Sequence, residues 1–352
     1  MARRIRVGVV GYGYAGRDFH VYLVDRVPDL ELVAIVARSS KRRELAEREQ
    51  GQRGVAVFGS LEDLLASDGV DLVILATPHD THAPQSIQAM DAGKHVVTDK
   101  AMCLNAEEAD KMIAASRRNG LLLSVFQNRR WDWDYLTVKK AVDEGWLGEP
   151  YLFEAAAMSY RAPSGWRGEV AASGGILFDW GAHLIDQALQ LVPARVRSVT
   201  ADIQRRSWGS EIGSYARVLL RFENDVLYDI EIGNLCRATK PRWFILGERG
   251  GLIKTGDPRG EQEPAMVAGN IDAAAEDPLH RARVWRELNG QTTSMEVETV
   301  TSDWTNYYRN IADVLNGRAE LLVKPEQVRR VMAVFDAARC AAATDVAMRV
   351  EI

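Results

Sequence analysis

The residues whose types and spacing could do chemistry fall in a few short segments. The first is Gly11-Tyr12-Gly13-Tyr14-Ala15-Gly16, a GxGxxG pattern directly after the apolar run Ile5–Val10 and at the start of a helical pattern. In that context the pattern reads as a dinucleotide-binding turn. Gly11 permits the bend, Gly13 lets a pyrophosphate approach the backbone, and Gly16 lets helix pack on strand. The pyrophosphate then lies on the helix N-terminus, beside Tyr14 and Ala15. A second apolar run ends in Ala37-Arg38-Ser39-Ser40-Lys41-Arg42. An Asp or Glu about 20 residues past the glycines usually binds the ribose 2′-hydroxyl of NAD, and none stands here. Arg38, Ser39 and Arg42 instead offer guanidinium and hydroxyl donors to a 2′-phosphate. NADP(H) is therefore the expected cofactor, with NAD as the alternative.

Gly174-Gly-Ile-Leu-Phe-Asp179-Trp-Gly-Ala-His183-Leu-Ile-Asp186 is the most informative segment. A helix here places Asp179, His183 and Asp186 on one face, at i, i+4 and i+7, among apolar or small residues. A buried polar stripe is costly unless it has partners or a ligand. Oxidising an alcohol needs a base beside the hydroxyl, and histidine suits that near neutral pH. The same stripe alone would be a core histidine tied to a carboxylate; the glycine loop upstream tips the reading to catalysis. Lys100 lies just past another apolar run, at the carboxyl edge where open α/β sheets bind ligands. A cation there can hold a substrate hydroxyl or lower its pKa. Thr77-Pro78-His79-Asp80-Thr81-His82 follows a further run. His79 and His82 with Asp80 lack the further ligands of a metal site, so a loop beside the nicotinamide is expected and no metal.

The elements that must position these residues alternate. Apolar runs at 5–10, 30–36, 70–76, 95–98 and 121–126 are separated by helical patterns at 15–27, 41–50, 84–92 and 105–119. Uniformly apolar strands alternating with helices predict a parallel, doubly wound sheet over residues 1–126. From 127 onward the pattern changes. A helix at 135–144 leads into strands at 151–158, 196–203, 215–222 and 226–232 that alternate in hydropathy. Such strands predict an open, largely antiparallel mixed sheet with one solvated or partner-facing side, a natural place for a dimer. Residues 127–352 are thus expected as a substrate-binding and oligomerisation α/β domain. The stretch 255–289 reads as a long excursion, a lid or contact arm. Helices at 304–315 and 325–343, candidates to pack back on the first domain, and a short strand at 347–352 complete the pattern.

With 352 residues and 47% hydrophobic content there is material for two cores. A net charge of −5 gives no basic footprint for nucleic acid or an anionic membrane. Cys103, Cys236 and Cys340 are odd in number, widely spaced and without a CxxC pair, which fits a reducing cytoplasm better than a disulfide framework. Arg3-Arg4 near the start is followed by a strand-like run and no leader pattern. No run approaches the ~18 apolar residues of a membrane span.

Taken together, these segments resemble the Gfo/Idh/MocA oxidoreductases across nearly the whole chain. The glycine loop, Thr77-Pro78 with His82, Asp99-Lys100 and the GGxxxDxxxHxxD segment stand in that family's order. The run from Ser124 through Gln127 to Lys140, with Tyr160-Arg161, Trp166-Arg167 and Pro241-Arg242, is most like the branch of NADP-dependent scyllo-inositol dehydrogenases. The resemblance implies hydride transfer between NADP(H) and a hydroxyl or keto carbon of a cyclitol or sugar. It makes His183 the general acid/base, Lys100 the anchor of the reacting hydroxyl, and Asp179 the orienting carboxylate. It adds Thr77, Pro78, His82, Asp99 and Gln127 to the cofactor site and Arg161, Trp166 and Arg167 to the substrate contacts. It also implies a homodimer or homotetramer through the C-terminal sheet. Relatives that cycle the cofactor as glycosidases, or sense it as regulators, are the competing readings. Retention of Lys100, Asp179 and His183, and the lack of a DNA-binding motif, argue against a regulator. One departure stands out: the family's Glu-Lys-Pro is Asp99-Lys100-Ala101 here. Without proline the Lys100–Ala101 peptide is expected to be trans.

Overall fold

A computed structural model describes residues 4–208, 211–238, 240–256 and 280–352. The chain divides into two compact units. The first joins residues 1–128 to 304–329; the second joins 129–303 to 330–352.

In the first unit, strands β1 (Ile5–Val10), β2 (Leu30–Val36), β3 (Ala56–Phe58), β4 (Leu72–Leu75), β5 (His95–Thr98) and β6 (Leu123–Val125) form a sheet in the order 3-2-1-4-5-6. Every pairing is parallel. The apolar runs explain this. β4 is buried at all four positions and β1 at five of six, as strands with helices on both faces must be. The order reverses between β1 and β4, which opens a crevice at the carboxyl ends of those strands. The helix Thr305–Leu315 adds Tyr307, Tyr308 and Ile311 to this core, and Trp304 stacks on Phe19 with ring centroids 5.8 Å apart.

Local patterns missed several elements here. β3 and the helix Leu61–Leu65 are too short to show periodicity. The helix expected from 84 begins at His79, so His79 to His82 form its first turn and are not a loop. Pro84 stands inside this helix, where it has no N–H to donate to the Asp80 carbonyl. Ala15–Val21, expected as α-helix, is π-wound, a difference that seven residues of hydropathy cannot register.

In the second unit, β7 (Pro150–Met158), β8 (Val196–Gln204), β9 (Tyr215–Phe222), β10 (Leu227–Gly233), β11 (Pro241–Gly247), β12 (Gly250–Thr255), β13 (Arg283–Leu288), β14 (Gln291–Glu296) and β15 (Met348–Arg349) form one mixed sheet among the described residues. Its order is 14-13-12-11-7-10-9-8-15, and β7 with β10 is its parallel pair. Part of the stretch expected as an excursion is therefore strand: Arg283–Leu288 pairs with β12 and β14. Residues 257–279 lie outside the described residues. The helix Leu177–Leu191 packs on one sheet face. There Gly181 faces Ile232 and Phe335, and Phe178 stacks on Phe335 at 4.2 Å. No helix among the described residues is long and apolar enough to cross a membrane.

Candidate functional site

The first unit gathers the predicted cofactor residues at the carboxyl ends of its strands. Gly11 follows β1, Arg38 follows β2, Thr77 follows β4, Asp99 and Lys100 follow β5, and Gln127 follows β6. The glycines separate by role. Gly11 has φ +101°, and a Cβ there would lie 2.3 Å from the Ala76 carbonyl oxygen. A Cβ on Gly16 would lie 1.8 Å from the Gly11 oxygen. The protein's own backbone demands both. A Cβ on Gly13 would meet nothing within 4 Å. Gly13 therefore leaves open space before the helix that starts at Ala15, and that helix has no side-chain cap. Uncapped N–H groups facing open space fit the phosphates of a dinucleotide. Tyr14 is exposed at the rim of this turn. Tyr12 donates to Glu49 (2.8 Å), which also accepts from Arg17 (2.8 Å), tying the turn to the helix Ser40–Gln50. Burial pushes the Tyr12 phenol up to about 12.

The loop after β2 is set by residues that sequence reasoning passed over. Arg43 donates to the carbonyls of Ala37 (3.2 Å) and Arg38 (2.8 Å), spending its charge on the loop itself. Ser39 caps the next helix, accepting from the Arg42 backbone N–H at 3.4 Å. The side chains of Arg38 and Arg42 are exposed and make no hydrogen bond or ion pair among the described residues. Two uncommitted guanidinium groups thus stand where a ribose carboxylate partner is missing.

Past β4, Thr77 Oγ1 donates to Gln85 (2.9 Å) and Thr81 Oγ1 to the Pro78 carbonyl (2.7 Å), fixing the start of the helix His79–Asp91. His82 is fully buried, its Nδ1 2.8 Å from the Ala101 oxygen and its Nε2 2.9 Å from the Thr77 oxygen. Two carbonyls would suit a doubly protonated ring, but burial outweighs them and lowers the His82 pKa. His82 is thus a buried strut between the Thr77 and Ala101 backbones. The Lys100–Ala101 peptide is cis, contrary to the trans bond expected without proline. Tertiary contacts select it in proline's place. Ala101, Met102 and Cys103 are fully buried, the Ala101 oxygen meets His82, and the Lys100 N–H donates to Asp99 Oδ1 at 2.8 Å. Burial by itself would raise the Asp99 carboxyl, but His20, Lys100 and His82 outweigh it and hold it well below the usual carboxylate range.

In the second unit, Gly174 (φ +81°) and Gly175 (φ +97°) turn the chain into the helix Leu177–Leu191. The expected polar stripe is present but unequal. Asp179 is exposed, His183 is 5% exposed and Asp186 is 1% exposed. Asp186 accepts two hydrogen bonds from Arg130, at 2.7 and 2.6 Å, so it is a matched buried ion pair. Asp179 is the exposed member of the three, and His183, one turn further along, is buried. Trp180 stands 6.1 Å from the His183 ring, with Arg129 4.2 Å over it and Arg242 5.3 Å from it. Arg242 also donates to buried Asp134 at 3.0 Å. Arg129, Arg130 and Asp134 lie in the run that carried the resemblance and Trp180 in the Gly174–Asp186 segment, but nothing local in the sequence assigns Asp186 to Arg130, Arg242 to Asp134 or the Trp180 ring to Arg129. Arg161 and Arg167 are exposed and Trp166 half-buried. The Arg161 N–H donates to Asn234 O (2.9 Å), and the Arg167 guanidinium lies 4.4 Å over the Trp166 ring.

Residues 5–127 match the model of an oxidoreductase family with an NAD-binding Rossmann fold, and 135–253 match the GFO/IDH/MocA C-terminal domain. The chain is 33% identical to the uncharacterized oxidoreductase YdgJ of Escherichia coli, covering 96% of each. It is 31% identical to the scyllo-inositol 2-dehydrogenase (NADP(+)) IolW of Bacillus subtilis, covering 95% of this chain and 92% of that one. Among solved structures, the oxidoreductase YvaA of Bacillus subtilis superposes with a TM-score of 0.91 at 29% identity, covering 100% of this chain and 99% of the other.

Proposed function

Because the chain belongs to the Gfo/Idh/MocA family of oxidoreductases, we propose that it is an NADP(H)-dependent dehydrogenase acting on a secondary hydroxyl of a cyclitol or sugar. The observation that carries the cofactor half is the pair of uncommitted guanidinium groups, Arg38 and Arg42, beside a second strand with no ribose-binding carboxylate. A 2′-phosphate gains charge-assisted hydrogen bonds there that a 2′-hydroxyl does not. The pyrophosphate would be held over Gly13 by the N-terminus of Ala15–Val21, with Thr77, Pro78 and Gln127 bounding the site. The similarity to a scyllo-inositol dehydrogenase supports the substrate half.

When bound, the nicotinamide ring supplies the hydride acceptor in the oxidative direction and the donor in reverse. The chain's own groups manage the proton. His183 takes the hydroxyl proton as the carbon–oxygen bond becomes a carbonyl and returns it in reduction. The Lys100 ammonium holds the hydroxyl oxygen and favours its negative character before the hydride leaves. Asp179 orients the substrate or the histidine. Such chemistry, with three widely spaced cysteines and no CxxC pair, fits the cytoplasm.

A panel of cyclitols and aldoses with NADP+ and with NAD+, read by nicotinamide absorbance, tests this directly. The expected result is net NADP+ reduction with free cyclitols. Substrate turnover without net change in nicotinamide would replace this reading with a cofactor-cycling hydrolase.

A further inference from the structure

We propose that His20 is a positioning residue: Tyr308 fixes its tautomer so that Nε2–H faces Asp99, and Asp99 in turn sets the backbone that carries Lys100. This rests on the role of Lys100 proposed above, and the first test below does not depend on that role.

The argument is a hydrogen-bond account of a closed space. His20 lies on the π-wound turn that follows the glycine loop and is fully buried. The Phe126 ring is packed 4.6 Å from it and that of Tyr308 6.2 Å. Its Nδ1 is 2.6 Å from Tyr308 Oη. Its Nε2 has no hydrogen-bond partner among the described residues and lies 3.8 Å from Asp99 Oδ2. The other oxygen of that carboxylate accepts the Lys100 backbone N–H at 2.8 Å.

Two arrangements of protons on the neutral ring can be compared. If Nδ1 carried the proton and donated to Tyr308, the phenol's own proton would be buried with no acceptor. The lone pair of Nε2 would also face an anion. If Tyr308 donates to Nδ1, the phenol is satisfied and the Nε2–H faces the carboxylate. Only the second leaves no buried group facing a like partner. A doubly protonated ring shares the first arrangement's defect at the phenol. Burial holds the Tyr308 phenol well above its ordinary pKa, so it keeps the proton it donates. Asp99 is held ionised, with Lys100 and His82 as the other charged or titratable groups near it.

The gap of 3.8 Å is too long for a hydrogen bond and short enough for a charge–dipole attraction. Asp99 is therefore held from one side by His20 and grips Lys100 from the other. His20 and Tyr308 touch no substrate in this scheme. They link the glycine-loop helix and the helix Thr305–Leu315 to the lysine loop.

Imidazole-15N labelling of the full-length protein tests the tautomer, with His20 assigned by the signal lost in His20→Asn. The expected wild-type signal has a proton on Nε2 and none on Nδ1. A proton on Nδ1 overturns the proposal, whatever the enzyme's substrate proves to be. The second test is a rescue. A Gln side chain can place its amide N–H near the position of Nε2, and an Asn side chain cannot reach it. His20→Gln is expected to keep the Lys100 amide resonance and most of kcat. His20→Asn and Tyr308→Phe are expected to shift that resonance and lower kcat roughly 10- to 100-fold, with KM for the cofactor little changed. Equal behaviour of the Gln and Asn variants in the Lys100 resonance overturns the positioning role without bearing on the oxidoreductase reading. An altered resonance with unchanged kcat overturns instead the role given to Lys100.

Discussion

At the residue scale, Arg38 and Arg42 are exposed charges with no hydrogen-bond or ion-pair partner among the described residues, placed where a 2′-phosphate would lie. Their neighbour Arg43 is occupied by the carbonyls of Ala37 and Arg38. Replacing Arg38 or Arg42 by Ala is expected to weaken NADPH binding about 10- to 100-fold, the worth of a charge-assisted hydrogen bond. NADH affinity should change less than about twofold. Fluorescence titration of both cofactors checks this, and an equal loss for the two would place the arginines elsewhere. Chemistry separates from binding in the same way. His183→Ala and Lys100→Ala are each expected to lower kcat by roughly 10²–10⁴ while NADPH affinity stays near wild type. Near-normal turnover in His183→Ala would make that histidine a packing residue. Asp186 belongs to a different class. Its bidentate pair with Arg130 is buried, so removing one partner strands a charge, and its loss should show in stability before catalysis.

At the scale of elements, the glycine turn offers a way to divide folding from binding. Gly13→Ala adds a Cβ to empty space, so Tm should stay within about 2 °C while cofactor affinity falls. Gly16→Ala drives a Cβ against the Gly11 carbonyl and should cost both stability and binding. Calorimetry with cofactor titration distinguishes the two. The helix His79–Asp91 gives a pH prediction. Burial lowers the His82 pKa, and His95 is lowered by the same cause. Below about pH 6.5 the unfolded chain therefore binds protons that the folded one refuses. Stability from these groups is complete above that pH and is lost as pH falls, by at most about 1.4 kcal/mol per unit for each group. Asp99, depressed instead, adds stability that is lost only below the ordinary carboxylate range, about pH 4. Tm should fall between roughly pH 7 and 5. His82→Gln, though less stable at pH 8, should show a shallower fall, and an unchanged slope would remove His82 from this account.

At the scale of the molecule, the second sheet has two unlike faces. Val218, Leu220, Tyr228, Ile230, Trp243 and Ile245 are buried on the side of the helix Leu177–Leu191. Leu152, Leu219, Leu227, Phe244 and Leu246 point to the other side and are only half-buried within the chain. Ion pairs between Arg217 and Asp229 and between Lys240 and Glu231 lie among them. A broad face of leucines laced with paired charges suits a second copy of the chain better than water. Light scattering at micromolar concentration is expected to give a dimer or larger. Leu227→Arg should shift it toward monomer without lowering Tm by more than the lost association explains.

The sequence by itself determined what depends on neighbouring residues. The apolar runs made the parallel sheet, the GxGxxG spacing made the phosphate turn, and the absent carboxylate after β2 was visible as an absence. Asp179 and His183 were legible because a helix repeats every 3.6 residues. Tertiary structure decided what depends on residues far apart. Asp186 was read as part of a polar stripe until Arg130, 56 positions away, proved to be its partner. His20 and Tyr308 meet across 288 positions with no pattern to announce them. The geometry at Lys100–Ala101 was misjudged because local cost was weighed without the buried contacts around Ala101. Hydrophobic periodicity says which face of an element is buried, whereas hydrogen bonds and ion pairs are satisfied by whichever groups the fold brings near.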